Sequence, residues 1–145
     1  MREKLEQAGL RVTRQRMMIA DLLFAKGDRH VTAEALYAEA SAIPYPPSLA
    51  TIYNTLRDFA DKGLVREIAL YGGKVWFDTK TGPHFHFYLE DREELFDIPE
   101  ALIPNFDIPA PAGTRIAGID VVIKLERLPE GMCLGADAST SAGDR

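Results

Sequence analysis

The sequence predicts an α+β chain: an N-terminal helical domain closed by a short β-hairpin, then a small C-terminal α/β domain rich in strands. Three observations predict it. Apolar residues recur at helical spacing as far as residue 62 and then change to a period of about two. Gly72-Gly73 lies between two short β-rich runs, as a hairpin turn requires. The charge balance also reverses: residues 1–80 carry 12 Lys+Arg against 10 Asp+Glu, residues 81–145 carry 5 against 12.

Residues 2–10 form a short polar helix that stops at Gly9. Thr13 is the N-cap of a second helix, with Ile19, Ala20, Leu23 and Phe24 as its apolar face and Arg14, Asp21 and Ala25 opposite. Lys26-Gly27-Asp28 ends it. His30-Val31-Thr32 leads into a third helix capped by Thr32, with Ala33, Leu36, Tyr37 and Ala40 expected inside. Pro44, Pro46 and Pro47 make a rigid turn, since proline blocks helix continuation. Ser48 caps a fourth helix reaching about Lys62, with Leu49, Ile52, Leu56 and Phe59 as its core stripe. Leu64–Leu70 and Lys74–Asp78 are strands joined at Tyr71-Gly72-Gly73. This is the element order of a winged helix-turn-helix domain, predicted over residues 1–80.

Thr79–Pro83 is turn-rich and marks a boundary. His84–Leu89 and Glu94–Ile98 follow as strands. Pro99, Pro104, Pro109 and Pro111 exclude a long helix, and Arg115–Glu126 reads as a β-branched strand. The second domain is expected at residues 84–128, with a disordered tail at 129–145. Some 45 ordered residues make a poor core alone, so pairing of two chains through these strands is expected, giving a homodimer or a higher oligomer.

Composition narrows the classes. A hydrophobic fraction of 46% and a charged fraction of 27% suit a globular protein. No apolar run reaches the roughly 18 residues of a membrane span. The charged start Met1-Arg2-Glu3-Lys4 leads to no secretory signal, so a cytoplasmic setting and no membrane partner are expected. The single cysteine, Cys133, excludes intramolecular disulfides and thiolate zinc knuckles and is expected to be an inert thiol.

The fourth helix carries the first chemical constellation. Opposite its core stripe lie Ala50, Thr51, Asn54, Arg57 and Asp58, with Tyr53 and Thr55 at the edges. Small side chains at its start suit entry into a DNA major groove. Ala50 and Tyr53 suit thymine methyls, and Thr51 and Asn54 suit base edges or phosphates. Arg11, Arg14 and Arg16 at the second helix are placed for backbone or minor groove, and Lys74 lies beyond the wing turn. Any one of these residues is ordinary solvated surface; it is the helix order, proline turn and wing together that point to DNA.

The three histidines carry the second. His84 and His86 share one strand face with Tyr88, leaving Phe85, Phe87 and Leu89 on the other. A turn centred on Asp91-Arg92 pairs Leu89 with Glu94 and therefore His86 with Asp97. Asp78 and His30 flank the cleft expected between the two halves. Imidazole with carboxylate suits Fe²⁺, Mn²⁺ or Zn²⁺, whereas the missing thiolate disfavours Cu(I). An ion shared by both domains would set the spacing of paired reading helices. On its own, each histidine is as readily a capping or strand residue.

Five ordered motifs resemble the ferric uptake regulator family: Gly9–Arg16, His30–Tyr37, Ser48–Leu56, Gly72-Gly73-Lys74 and His84-Phe85-His86. The resemblance covers about residues 9–126. Leu23–His30, Ser48–Thr51 and the short proline-rich linker are most similar to its iron response regulator branch. The resemblance implies a dimeric metal-responsive regulator whose regulatory site maps onto His30, Asp78, His84, His86 and Asp97. The family's DNA-reading positions match Tyr53 and its helix; Ser48, at the start of that helix, is a further candidate DNA contact. Asn54 stands where many members have arginine, which implies a different operator preference. The Cys-x-x-Cys structural zinc motifs are missing. Pro83, Phe85 and Ile119 occupy ligand positions of the family's second metal site. Phe85 also interrupts the three consecutive histidines of the branch, and its Cys-Pro haem motif is absent.

The sequence therefore predicts a regulator, not an enzyme: an iron-responsive repressor binding double-stranded operator DNA, with one divalent ion per chain (Fe²⁺ or Mn²⁺, Zn²⁺ in vitro) and haem as a further candidate effector. A peroxide-sensing regulator is the alternative, because Asp97, rather than glutamate, resembles the ligand set of peroxide-responsive members. A zinc-dependent hydrolase is a third reading, disfavoured because no separate general base is evident.

Overall fold

A computed structural model describes residues 1–70 and 73–129. The chain divides into two compact units, Met1–Pro83 and His84–Arg145.

Unit 1 holds α1 (Arg2–Gln7), α2 (Arg14–Phe24), β1 (His30–Val31), α3 (Ala33–Ala40), α4 (Leu49–Asp61), β2 (Arg66–Ala69) and β3 (Val75–Asp78). The caps are those the sequence names. Thr13 accepts from Arg16 N, Thr32 from Ala35 N and Ser48 from Thr51 N, each satisfying an otherwise orphaned helix N–H. Gly63 closes α4 at φ 69°, a left-handed position that favours glycine. Leu5, Ile19, Leu23, Leu36, Ile52, Leu56, Phe59 and Phe77 are fully buried in one core. Each such side chain contributes about 1.5–3 kcal/mol by leaving water.

Two expectations about this core need correction. Tyr37 is 41% exposed and Leu49 39% exposed. The eight-residue α3 buries only a narrow stripe, Ala33, Leu36 and Ala40, and Tyr37 lies one step round the helix from it. Leu49 is the first residue of α4, and the buried stripe starts one step further on, at Ile52. Thr55, expected at the edge of the exposed face, is buried in the α4 stripe. Phe24 is half-buried, with Lys4 Nζ 3.8 Å over its ring.

The strand β1 was hidden in the sequence as a mere lead-in to α3. It completes an antiparallel sheet of order β1-β3-β2, with His30 opposite Asp78 and Arg66 opposite the same residue on the far side. The predicted wing turn includes Tyr71 and Gly72, which lie outside the described residues; Leu70 N donates to Lys74 O across it.

Unit 2 contains β4 (His86–Leu89), β5 (Glu94–Asp97), a 3₁₀ turn at Glu100–Leu102 and β6 (Val122–Leu125). The β4–β5 register is the predicted one, Leu89 with Glu94 and His86 with Asp97. The strand expected over Arg115–Glu126 is shorter, and it pairs parallel with β4 on the side away from β5. A parallel neighbour needs a long crossover, and the proline-punctuated stretch after β5 supplies it without a long helix. Cys133 and the tail from residue 130 lie outside the described residues.

Candidate metal centre and nucleic-acid interface

In unit 1 the pairing of β1 with β3 sets His30 beside Asp78, with Nε2 3.4 Å from Oδ2. The next residue pair, Arg29 with Thr79, holds the alignment through two hydrogen bonds. Arg29 N donates to Thr79 Oγ1 at 2.8 Å, and Thr79 N donates to Arg29 O at 3.1 Å. Asp78 is fully buried, and its Oδ1 accepts from Lys80 N at 2.8 Å, which orients Oδ2 toward the imidazole. A buried carboxylate is costly unless a cation or hydrogen bonds compensate it. Arg29 is anchored in turn, its guanidinium forked on Glu39 with Nη1 3.1 Å from Oε2. Lys26 Nζ lies 3.0 Å from the same oxygen. The Arg29 hydrogen bond, aided by Lys26 and opposed by partial burial, holds the Glu39 carboxyl down to about 2.

In unit 2 the strand expected from His84 begins only at His86, yet His84, just before it, and His86 are both buried, their ring centroids 4.5 Å apart. Asp97 Oδ1 lies 3.4 Å from His84 Nε2 and 3.8 Å from His86 Nε2. These separations are long for hydrogen bonds. The 3.4 Å separation is that of adjacent donors around one ion, since ligand atoms about 2.0–2.2 Å from a metal stand roughly 3.0–3.5 Å apart, and the 3.8 Å separation is slightly wider. Phe85 points to the opposite face, where its ring meets Phe106 edge-on at 5.5 Å. It offers packing there rather than a donor.

The reading helix presents Ala50, Asn54 and Arg57 in the open at i, i+4, i+7, with Thr51 half-buried beside them. Tyr53 is half-buried: its ring meets Phe77 edge-on at 6.2 Å, and Arg57 lies 5.9 Å above it. Ser48 uses its hydroxyl as the cap, 3.1 Å from Thr51 N and 2.9 Å from Thr51 Oγ1. A cleft of about 380 Å³ gathers Arg11, Arg16, Thr51 and Asn54 with Thr13, Gln15, Thr55 and Asp58. Arg14 is not in that cleft. Its guanidinium lies 5.8 Å over the Tyr45 ring, and Lys74 Nζ lies 5.9 Å over Trp76.

Sequence reasoning missed the tie between Arg16 and Asp58, although the two residues face each other across the cleft. Their separation of 42 positions leaves no local signal to find. The Arg29–Glu39 pair, only ten positions apart, was missed as well.

Unit 1 has the helices and β-hairpin of a winged helix, and each unit brings histidine and aspartate donors together, the ligand types that divalent transition metals take. The chain belongs to the ferric uptake regulator family, whose pattern matches residues 7–120. This is a family of regulators, not of enzymes. The peroxide-responsive repressor PerR of Staphylococcus aureus (strain Mu50 / ATCC 700699) is 38% identical over 94 residues, 64% of this chain and 62% of that relative. The chain thus spans under two thirds of the length of the curated relatives it matches. The ferric uptake regulator of Vibrio cholerae superposes with a TM-score of 0.70 and 26% identity over 86% of this chain and 98% of that one. The Pseudomonas aeruginosa ferric uptake regulator with manganese gives 0.67 and 25%, over 87% and 96%. Among the described residues, no helix is long and apolar enough to cross a membrane.

Proposed function

We propose that this chain is a metal-responsive transcriptional regulator that binds operator DNA as a homodimer, and specifically an iron-responsive repressor of the iron response regulator type. His30 and Asp78 from unit 1, with His84, His86 and Asp97 from unit 2, together hold one divalent ion, Fe²⁺ or Mn²⁺ in the cell and Zn²⁺ in vitro. The observations that carry this reading are the two buried imidazoles of His84 and His86 at Asp97 in unit 2, and the half-buried His30 beside the buried Asp78 in unit 1. The donor set is all nitrogen and oxygen, as those ions prefer. When bound, the ion would supply the positive charge that compensates the Asp78 and Asp97 carboxylates. Binding would set the angle between units, and hence the spacing of two reading helices on one duplex.

The DNA contacts divide by chemistry. Ala50, Thr51, Tyr53, Asn54 and Arg57 read base edges and methyls; Arg11, Arg14, Arg16, Ser48 and Lys74 meet the backbone. Dimerisation uses unit 2, whose Phe96 and Ile123, on its two outer strands, are each 45% exposed. Haem is the alternative effector, with the histidines as its axial donors. It lacks the Cys-Pro motif and the unbroken histidine run that would support it. The test is a fluorescence-anisotropy titration of duplexes selected from a random pool. Binding should strengthen on adding Mn²⁺ and reverse with chelator; indifference to both rejects the proposal.

The peroxide-sensing reading has its own support in Asp97 and in the similarity to a peroxide-responsive repressor. In that reading iron, held by the same residues, would let one of the three histidines take up one oxygen atom from peroxide, with water as the other product. Mass spectrometry after Fe²⁺ loading and peroxide should find one added oxygen on His30, His84 or His86. Unmodified histidines leave the iron-responsive reading standing alone.

A further inference from the structure

We propose that Asp58 is a specificity-determining residue of the reading helix, latching Arg16 away from the DNA backbone. This rests on the DNA-binding role proposed above and revises the part given there to Arg16.

Arg16 sits in the first turn of α2, where an arginine facing DNA would be an ordinary phosphate contact. Its guanidinium is committed elsewhere. Nη2 bonds Asp58 Oδ2 and Nη1 donates to Arg11 O at 3.0 Å. The Arg16 side chain is 24% exposed and Asp58's 45% exposed, so the pair closes one side of the cleft that Thr51 and Asn54 line. Asp58 lies four residues after Asn54, on the same stripe of the reading helix. Two consequences follow. An unpaired carboxylate there would repel phosphates, and Arg16 cancels it. Arg16, for its part, is withheld from the sequence-independent attraction that raises affinity for every duplex alike. The latch also fixes the carbonyl of Arg11 to the reading helix, so Arg11 meets DNA in a set position relative to Asn54.

The experiment measures affinity for a scrambled duplex and for a pool-selected duplex by fluorescence anisotropy, in constant Mn²⁺, from 50 to 200 mM salt. The chains are the unaltered protein, Asp58→Asn and the double variant Arg16→Gln/Asp58→Asn. Freeing Arg16 should steepen the log K against log salt slope of Asp58→Asn by about 0.9, an extra loss of about 3.5-fold across that range. The ratio of selected to scrambled affinity should fall severalfold. The double variant should return to the slope of the unaltered protein. A purely structural ion pair would lower melting temperature without moving the slope, and that result overturns the latch. So does a double variant with a slope shallower by about 0.9, which would mean Arg16 already contacts phosphate. If the unaltered chain shows no salt-dependent binding at all, the DNA-binding reading itself falls, and the latch with it.

Discussion

The side chain of Asp97 carries more of the account than any other, because its one oxygen faces both buried histidines of unit 2. Asp97→Ala should lower Mn²⁺ affinity at least 100-fold, read by calorimetric titration, since losing even a group that only orients a ligand costs 10–100-fold. Glu39 acts one step back, through Arg29 beside His30. Its carboxyl is held near 2, below its ordinary 4.5, so the ionised form is favoured by folding. The stability it adds is present above about pH 4.5 and is lost as pH falls from there toward 2. Glu39→Gln should therefore be less stable at neutral pH by about 1 kcal/mol, the upper end for a partly exposed ion pair. The gap between the two chains should close over that acid window in pH-dependent thermal melts.

The elements show which signals a sequence exposes. Helix caps are local, so Thr13, Thr32 and Ser48 were readable directly. The hairpin register followed from period-two counting, and with it the meeting of His86 and Asp97. Two-residue β1 was not readable, because its only support is a partner 48 positions away, Asp78. The parallel pairing of β6 with β4 is likewise non-local and leaves no periodic trace beyond a β-branched run. Tyr37 and Leu49 were misplaced because helical spacing gives a face but not its width. The contrast within α4 is testable. Phe59→Ala should cost about 3–5 kcal/mol in urea unfolding, whereas Leu49→Ser should cost under about 0.5 kcal/mol. Asn54→Ala on the open face should leave stability alone. It should weaken binding to a selected duplex by about 1–3 kcal/mol with an unchanged salt slope.

For the whole molecule, the formal charge of −5 hides an N-terminal half of net +2 and a C-terminal half of net −7. The reversal of charge was legible in composition and falls near the boundary between the two compact units. The pairing of His86 with Asp97 was legible by counting along the hairpin, and the nearness of His30 to Asp78 by position; that these side chains and His84 hold one shared ion is the proposal. Mn²⁺ stoichiometry and affinity of the full chain, followed by electron paramagnetic resonance, test it most directly when His30→Ala and His86→Ala are run beside the unaltered protein. The account predicts one tight ion per chain and a loss of at least 100-fold in both variants, although the altered residues belong to different units. Full affinity in His30→Ala, with loss only in His86→Ala, would mean that unit 2 binds metal by itself and that no ion couples it to the reading helix.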